Sequence, residues 1–160
     1  MPAGSDPSSP SARVPAPSLP HTWRPFGARI AVWLLGGLLV GVSAVVWIAI
    51  GEEVRSQFTG LERATLVFLA LLLGVSYNAL LRSRVTATTH GLTVVNGYRK
   101  RTYEWSQVIG MSLGRGAPWG TLDLSDGTTI SVIGVQGSDG ARARRAVREI
   151  RAAIAANTPD

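Results

Sequence analysis

The hydrophobic pattern changes character twice along the chain. Residues 1–27 show no apolar periodicity, and prolines recur from Pro2 to Pro25 among serines. Such a stretch buries too little apolar surface to offset its ordering entropy, so a disordered Pro/Ser-rich tail is expected. Ile30 to Ile50 then runs 21 residues without a charge. At ~1.5 Å per residue, a helix of that length matches the ~30 Å hydrocarbon layer of a bilayer. Trp33 and Trp47 stand near its ends, where an indole can bury its ring and keep its N–H wet. A second uncharged run, Ala64 to Leu81, holds 18 residues and is less apolar because of Thr65, Ser76, Tyr77 and Asn78. The first run is longer than a signal-sequence core and follows a long tail, so a retained helix is expected. With the connector 51–63 read as a turn, residues 28–81 predict a hairpin of two transmembrane helices, about 30–50 and 64–81. Gly37 with Gly41, and Ala70 with Gly74, form small-xxx-small pairs and are the expected helix-packing positions.

After Arg84 the period becomes two. Val85 to Thr89, Leu92 to Val95, Tyr98 to Trp105, Ile109 to Leu113, Thr121 to Leu124 and Thr128 to Ile133 read as six short strands. His90-Gly91, Asn96-Gly97 and Ser125-Asp126-Gly127 mark turns, and Asn-Gly is the strongest short hairpin signal because both positions tolerate positive φ. The period changes again near the end. Ala143, Val147, Ile150 and Ile154 form one apolar stripe, opposed by Arg142, Arg144, Arg145, Arg148 and Arg151. A helix over about 139–156 follows, with Ser138 or Asp139 as its expected cap and Pro159 beyond its end. Residues 82–157 therefore predict a small α+β domain. Its antiparallel strands form a bent sheet or partial barrel, capped by an amphipathic C-terminal helix.

This order of strands, the aromatic-ended Thr102-Tyr103-Glu104-Trp105, the Ser106-Gln107-Val108 turn and the terminal helix resemble a bacterial pleckstrin-homology (PH) domain. With two apolar helices ahead of it, the chain is similar over residues 30–156 to the actinobacterial low-molecular-weight protein antigen 6 family. The resemblance implies a binding or scaffolding module without catalysis, with Trp105 as a core or turn anchor. The basic motif of eukaryotic phosphoinositide-binding domains has no counterpart here.

Charge then orients the hairpin. Sixteen Lys and Arg face ten Asp and Glu, and all the basic residues but Lys100 are arginine. Arg13, Arg24 and Arg29 precede the first helix, and Arg82 and Arg84 follow the second. Glu52, Glu53 and Glu62 outnumber Arg55 and Arg63 in the connector. The positive-inside rule puts both termini in the cytoplasm of a multi-pass plasma-membrane protein. Candidate chemistry is sparse. There is no cysteine, and His21 and His90 lack partners at metal-ligand spacing, so no metal or cofactor is expected. Asp126 precedes Gly127 and reads as a turn former, and Asp123 as a solvent-facing strand residue. No nucleophile has a partnered base, so an enzyme is not expected. Arg99, Lys100 and Arg101, with Arg82 and Arg84, form the candidate contact for a ligand or anionic lipid. The helical arginines lack aromatic stacking partners, which argues against nucleic acid. The expected partners are the bilayer and a protein, with a homo-oligomer as a further possibility. The alternative role is an accessory transmembrane subunit whose helices make the specific association, with Asn78 either hydrogen-bonding across a helix interface or lying near the headgroups.

Overall fold

The computed structural model describes residues 15–158. Strand β1 (His21–Trp23) leads into helix α1 (Phe26–Ala49), a short helix α2 (Gly51–Gln57) and helix α3 (Gly60–Arg82). Six strands follow: β2 (Arg84–Thr88), β3 (Gly91–Asn96), β4 (Arg99–Glu104), β5 (Val108–Ser112), β6 (Trp119–Leu124) and β7 (Thr129–Gln136). Helix α4 (Ala141–Asn157) ends the fold. The strands form two antiparallel sheets, in the orders β1-β2-β3-β4 and β5-β6-β7.

The two long helices, α1 and α3, are each long and apolar enough to cross a membrane. Their large apolar side chains, from Leu34 and Leu38 to Leu71 and Val75, remain exposed rather than forming a second core. The connector is more than the expected turn. Gly51, at φ +69°, takes the left-handed conformation that lets α1 end and α2 begin at once. A capping box then starts α3 at residue 60: the Thr59 hydroxyl accepts from the Glu62 N–H, and the Glu62 carboxylate accepts from the Thr59 N–H. The Trp47 and Phe58 rings meet edge to face at 5.7 Å across the bend.

The largest departure from expectation lies before the helices. Residues 1–14 of the expected disordered tail fall outside the described residues, but His21–Trp23 is an ordered strand. It pairs antiparallel with β2, His21 opposite Ala87 and Trp23 opposite Val85. The physical reason is Trp23, whose indole is buried in the domain core and donates from Nε1 to the Glu149 carboxylate at 2.8 Å. Trp23 supplies most of the apolar burial, helped by the fully buried Pro25 and by Leu19 packed against the core. The domain therefore has seven strands, and the α1–α3 segment is an insertion between its first strand and its second.

The core lies between the two sheets and α4. Val85, Ala87, Leu92 and Val94 from the first sheet meet Val108, Met111, Leu122 and Val132 from the second. Helix α4 closes the stack with Ala143, Val147, Ile150 and Ile154, the stripe expected from its periodicity, and adds Ala153. Its N-terminus differs from expectation. Gly140 occupies the cap position, and no side chain caps α4. Trp105 leaves the strand expected over Tyr98–Trp105, starts a single helical turn to Gln107 and donates its indole N–H to the Thr88 carbonyl at 3.2 Å. Strand β7 runs to Gln136, past the expected end at Ile133, because Gly134 does not break it. Gly134 instead lets β7 cross β2 at backbone contact: a Cβ there would lie 2.7 Å from the Arg84 carbonyl carbon.

Candidate functional site

Two sets of contacts fasten the domain to the long helices. The first α1 N–H groups have no intrahelical acceptor, and the N-cap residue, Pro25, offers no side-chain bond. Asp139 supplies both acceptors from the far end of the sequence. Its Oδ2 accepts from the Phe26 N–H at 2.8 Å and its Oδ1 from the Gly27 N–H at 2.7 Å. The carboxylate expected at the start of α4 thus caps α1 instead, where its charge also complements the helix dipole. Gly27 leaves room for it, since a Cβ there would stand 2.7 Å from Asp139 Oδ1. Beside it the Arg142 guanidinium lies 3.9 Å from the Phe26 ring centre. Glu149 receives the Trp23 indole N–H and, at 2.8 Å, the Arg145 Nε–H. Burial raises the Glu149 pKa, but the hydrogen bonds from Trp23 and Arg145, with the Arg145 charge, outweigh it and leave the carboxyl below its ordinary range.

The second set holds the end of α3. The Ser83 hydroxyl accepts from the Gly97 N–H at 3.0 Å, and Gly97 packs against Ala79. The Tyr98 hydroxyl lies 3.1 Å from both the Val75 carbonyl and Asn78 Oδ1. Arg82 sits over the Tyr98 ring, 5.4 Å from its centre. Asn78, expected to hydrogen-bond across an interface with other helices, is thus engaged by the domain of its own chain.

The basic triplet does not form one patch. Strand alternation separates its members. Arg99 and Arg101 line a cleft of about 230 Å³ with Tyr103, Val94, Asn96, Ile130 and Ser131, and Lys100 is absent from that lining. Asn96 walls the cleft by bridging the sheets as a strand would. Its Nδ2 donates to the Ser131 carbonyl at 2.6 Å, and its Oδ1 accepts from the Ile133 N–H at 3.0 Å. Arg84 donates to the Arg82 carbonyl at the junction of α3 and β2, away from the cleft. Sequence reasoning found the arginines but missed Tyr103 as their companion. The signal was there: residues 99, 101 and 103 share one strand face.

The glycine pairs do not mark where α1 meets α3. A Cβ at Gly37, Gly41 or Gly74 would meet nothing within 4 Å, whereas one at Gly36 would lie 3.2 Å from the Tyr77 ring. One interhelical contact is therefore Gly36 against Tyr77, one position from the expected pair, and among the described residues Gly37, Gly41 and Gly74 make no such close approach. His21 lies in β1 with its ring 4.6 Å from that of Trp23, and His90 lies in the β2–β3 turn. Among the described residues no group of three or more His, Asp or Glu side chains is placed to hold a metal ion. Asp126 forms the expected turn, accepting at Oδ1 from the Thr128 N–H and hydroxyl.

Comparison with known proteins agrees with this architecture. Residues 82–153 match the family model described as a bacterial PH domain. The match begins at the end of α3 and so leaves out β1. An uncharacterized protein of Mycobacterium tuberculosis strain H37Rv is 33% identical over 149 residues, covering 88% of this chain and 89% of its own length. An uncharacterized protein of Mycobacterium bovis aligns with the same identity and coverage. No solved structure gives a significant match. The similarity to the mycobacterial proteins runs through the inserted helices as well as the domain, and on these grounds the chain belongs to the bacterial PH domain family.

Proposed function

We propose that the protein is a non-enzymatic, membrane-anchored interaction module. In this reading its PH-like domain is held flush against the cytoplasmic face of the plasma membrane and binds a protein, a peptide or anionic lipid there. The observation that carries the reading is the pairing of β1 with β2 across the inserted helices. One folded domain contains the chain on both sides of the insertion, so the two outer ends of α1 and α3 must lie on one side of any membrane they cross. The links are short: Arg24 and Pro25 join β1 to α1, and Ser83 joins α3 to β2. With so little slack, and with Asp139 and Tyr98 fastening each helix, the domain is held at the helix ends. Its binding surfaces would then meet leaflet-bound partners at high local concentration, so modest affinity suffices. Arg24, Arg29, Arg82 and Arg84 at these ends favour the cytoplasmic side, against the acidic Glu52 and Glu53 between the helices.

The absence of cysteine makes the test clean. Ser56→Cys in α2 and Ser125→Cys in the β6–β7 turn are exposed positions. In spheroplasts a membrane-impermeant maleimide should label Cys at 56 at once, and Cys at 125 only after permeabilisation. Labelling of both from outside, or of 125 alone, refutes the proposed placement.

A further inference from the structure

We propose that the cleft between β4 and β7 binds a phosphate-bearing anion through Arg99, Arg101 and Tyr103. Several features of the cleft converge on this chemistry. Its lining contains two arginines and no carboxylate. Neither arginine takes part in an ion pair among the described residues. Their planar forks match the geometry of phosphate oxygens. The Tyr103 hydroxyl is buried behind this lining with no hydrogen-bond partner, a costly arrangement that a turn of the ring toward a bound phosphate oxygen would relieve. Val94 and Ile130 give the cleft an apolar floor, which strengthens charge-assisted bonds made above it. Asn96 spends both ends of its amide on the β7 backbone, so it fixes the width of the cleft and leaves recognition to the other polar groups.

The position of the cleft suits a lipid headgroup. Arg99 follows directly on Tyr98, whose hydroxyl reaches Val75 two turns inside α3. Arg99, at one end of the cleft, thus stands near the point where α3 leaves its apolar stretch, the level at which headgroup phosphates would lie. This lipid source rests on the membrane anchoring proposed above, whereas binding of a free phosphate anion does not.

The test uses the full chain and reads the amide and side-chain resonances of Ser131 and Tyr103. One arm titrates inorganic phosphate into the protein in a neutral detergent. The other compares phosphatidylcholine nanodiscs with and without phosphatidylglycerol. Either probe should shift these resonances. A response to inorganic phosphate identifies a free-anion site, and a response to phosphatidylglycerol alone identifies a headgroup site. The double change Arg99→Gln with Arg101→Gln should weaken binding about tenfold or more. Tyr103→Phe should weaken it several-fold without lowering the melting temperature, and Lys100→Gln should leave it unchanged. The proposal is overturned if neither probe moves the resonances. It is equally overturned if Lys100→Gln matches the double arginine change, which would mean diffuse attraction, or if Tyr103→Phe binds as well as the parent. If the maleimide test places the domain outside while inorganic phosphate still binds, the anchoring reading fails and the anion site stands.

Discussion

Replacing Asp139 by alanine should release the start of α1 from the domain. The change removes both acceptors that serve the Phe26 and Gly27 N–H groups, and Pro25 has no side-chain oxygen to take their place. Loss of a helix N-cap costs about 1 kcal/mol in typical cases. Loss of a carboxylate at the positive end of the helix dipole adds about 0.3–1 kcal/mol. A total of about 1.3–2 kcal/mol raises the local opening equilibrium about 10- to 30-fold, at about 1.4 kcal/mol per tenfold. Amide hydrogen exchange on the full chain in nanodiscs reads this opening directly. Exchange at Phe26 and Gly27 should accelerate by that factor, while amides of β3 and of the middle of α4 keep their rates. Asp139→Asn keeps an acceptor oxygen but loses the charge, and should give about half the free-energy effect. Gly27→Ala attacks the same contact from the other side, since its Cβ would stand 2.7 Å from Asp139 Oδ1, and should also accelerate exchange. If Phe26 and Gly27 exchange at the parent rate in Asp139→Ala, the cross-chain cap does not hold the helix and the reasoning fails.

Two further outcomes follow from the same geometry. Glu149 has a lowered pKa in the folded chain, so its stabilising contribution is complete above the ordinary Glu range and is lost as the pH falls through the folded value. The melting-temperature advantage of the parent over Glu149→Gln should therefore shrink on acidification below about pH 4.3, the ordinary Glu value; an advantage independent of pH would contradict the assigned link to Trp23 and Arg145. Gly134→Ala places a Cβ 2.7 Å from backbone of Arg84 that has no side-chain rotamer to yield. Overpacking of this kind costs about 1–3 kcal/mol, and at about 4–8 °C per kcal/mol for a domain of this size the loss should be plain in thermal unfolding followed by near-ultraviolet circular dichroism. An unchanged melting temperature would show that β7 and β2 do not cross so closely.

The sequence by itself determined the elements whose physics is local. Charge-free length marks α1 and α3, and a spacing of four, three and four marks the buried stripe of α4. Gly97 and Gly127 mark two of the turns, because each takes a positive φ that few residues adopt. Asn96 nevertheless stays in β3, and the first turn is Gly97-Tyr98, one residue beyond the expected Asn96-Gly97. The same alternation that identified β4 already contained the separation of Lys100 from Arg99 and Arg101, although a run of three basic residues reads at first as one patch. Only the tertiary structure decided the long-range pairings. His21–Trp23 has too few residues and too many neighbouring prolines to announce a strand; β2 and the Glu149 carboxylate make it one from more than 60 residues away. Asp139 stands where a cap for α4 is expected, and whether it serves that helix or α1 depends on which N–H groups the fold brings within reach. The glycines of α1 and α3 are equally undecided by spacing, because the rotation of each helix settles whether Gly36 or Gly37 faces Tyr77. Periodicity assigns a residue to a face of its own element, while hydrogen bonds and close contacts between elements are fixed by packing geometry, which a single local pattern does not contain.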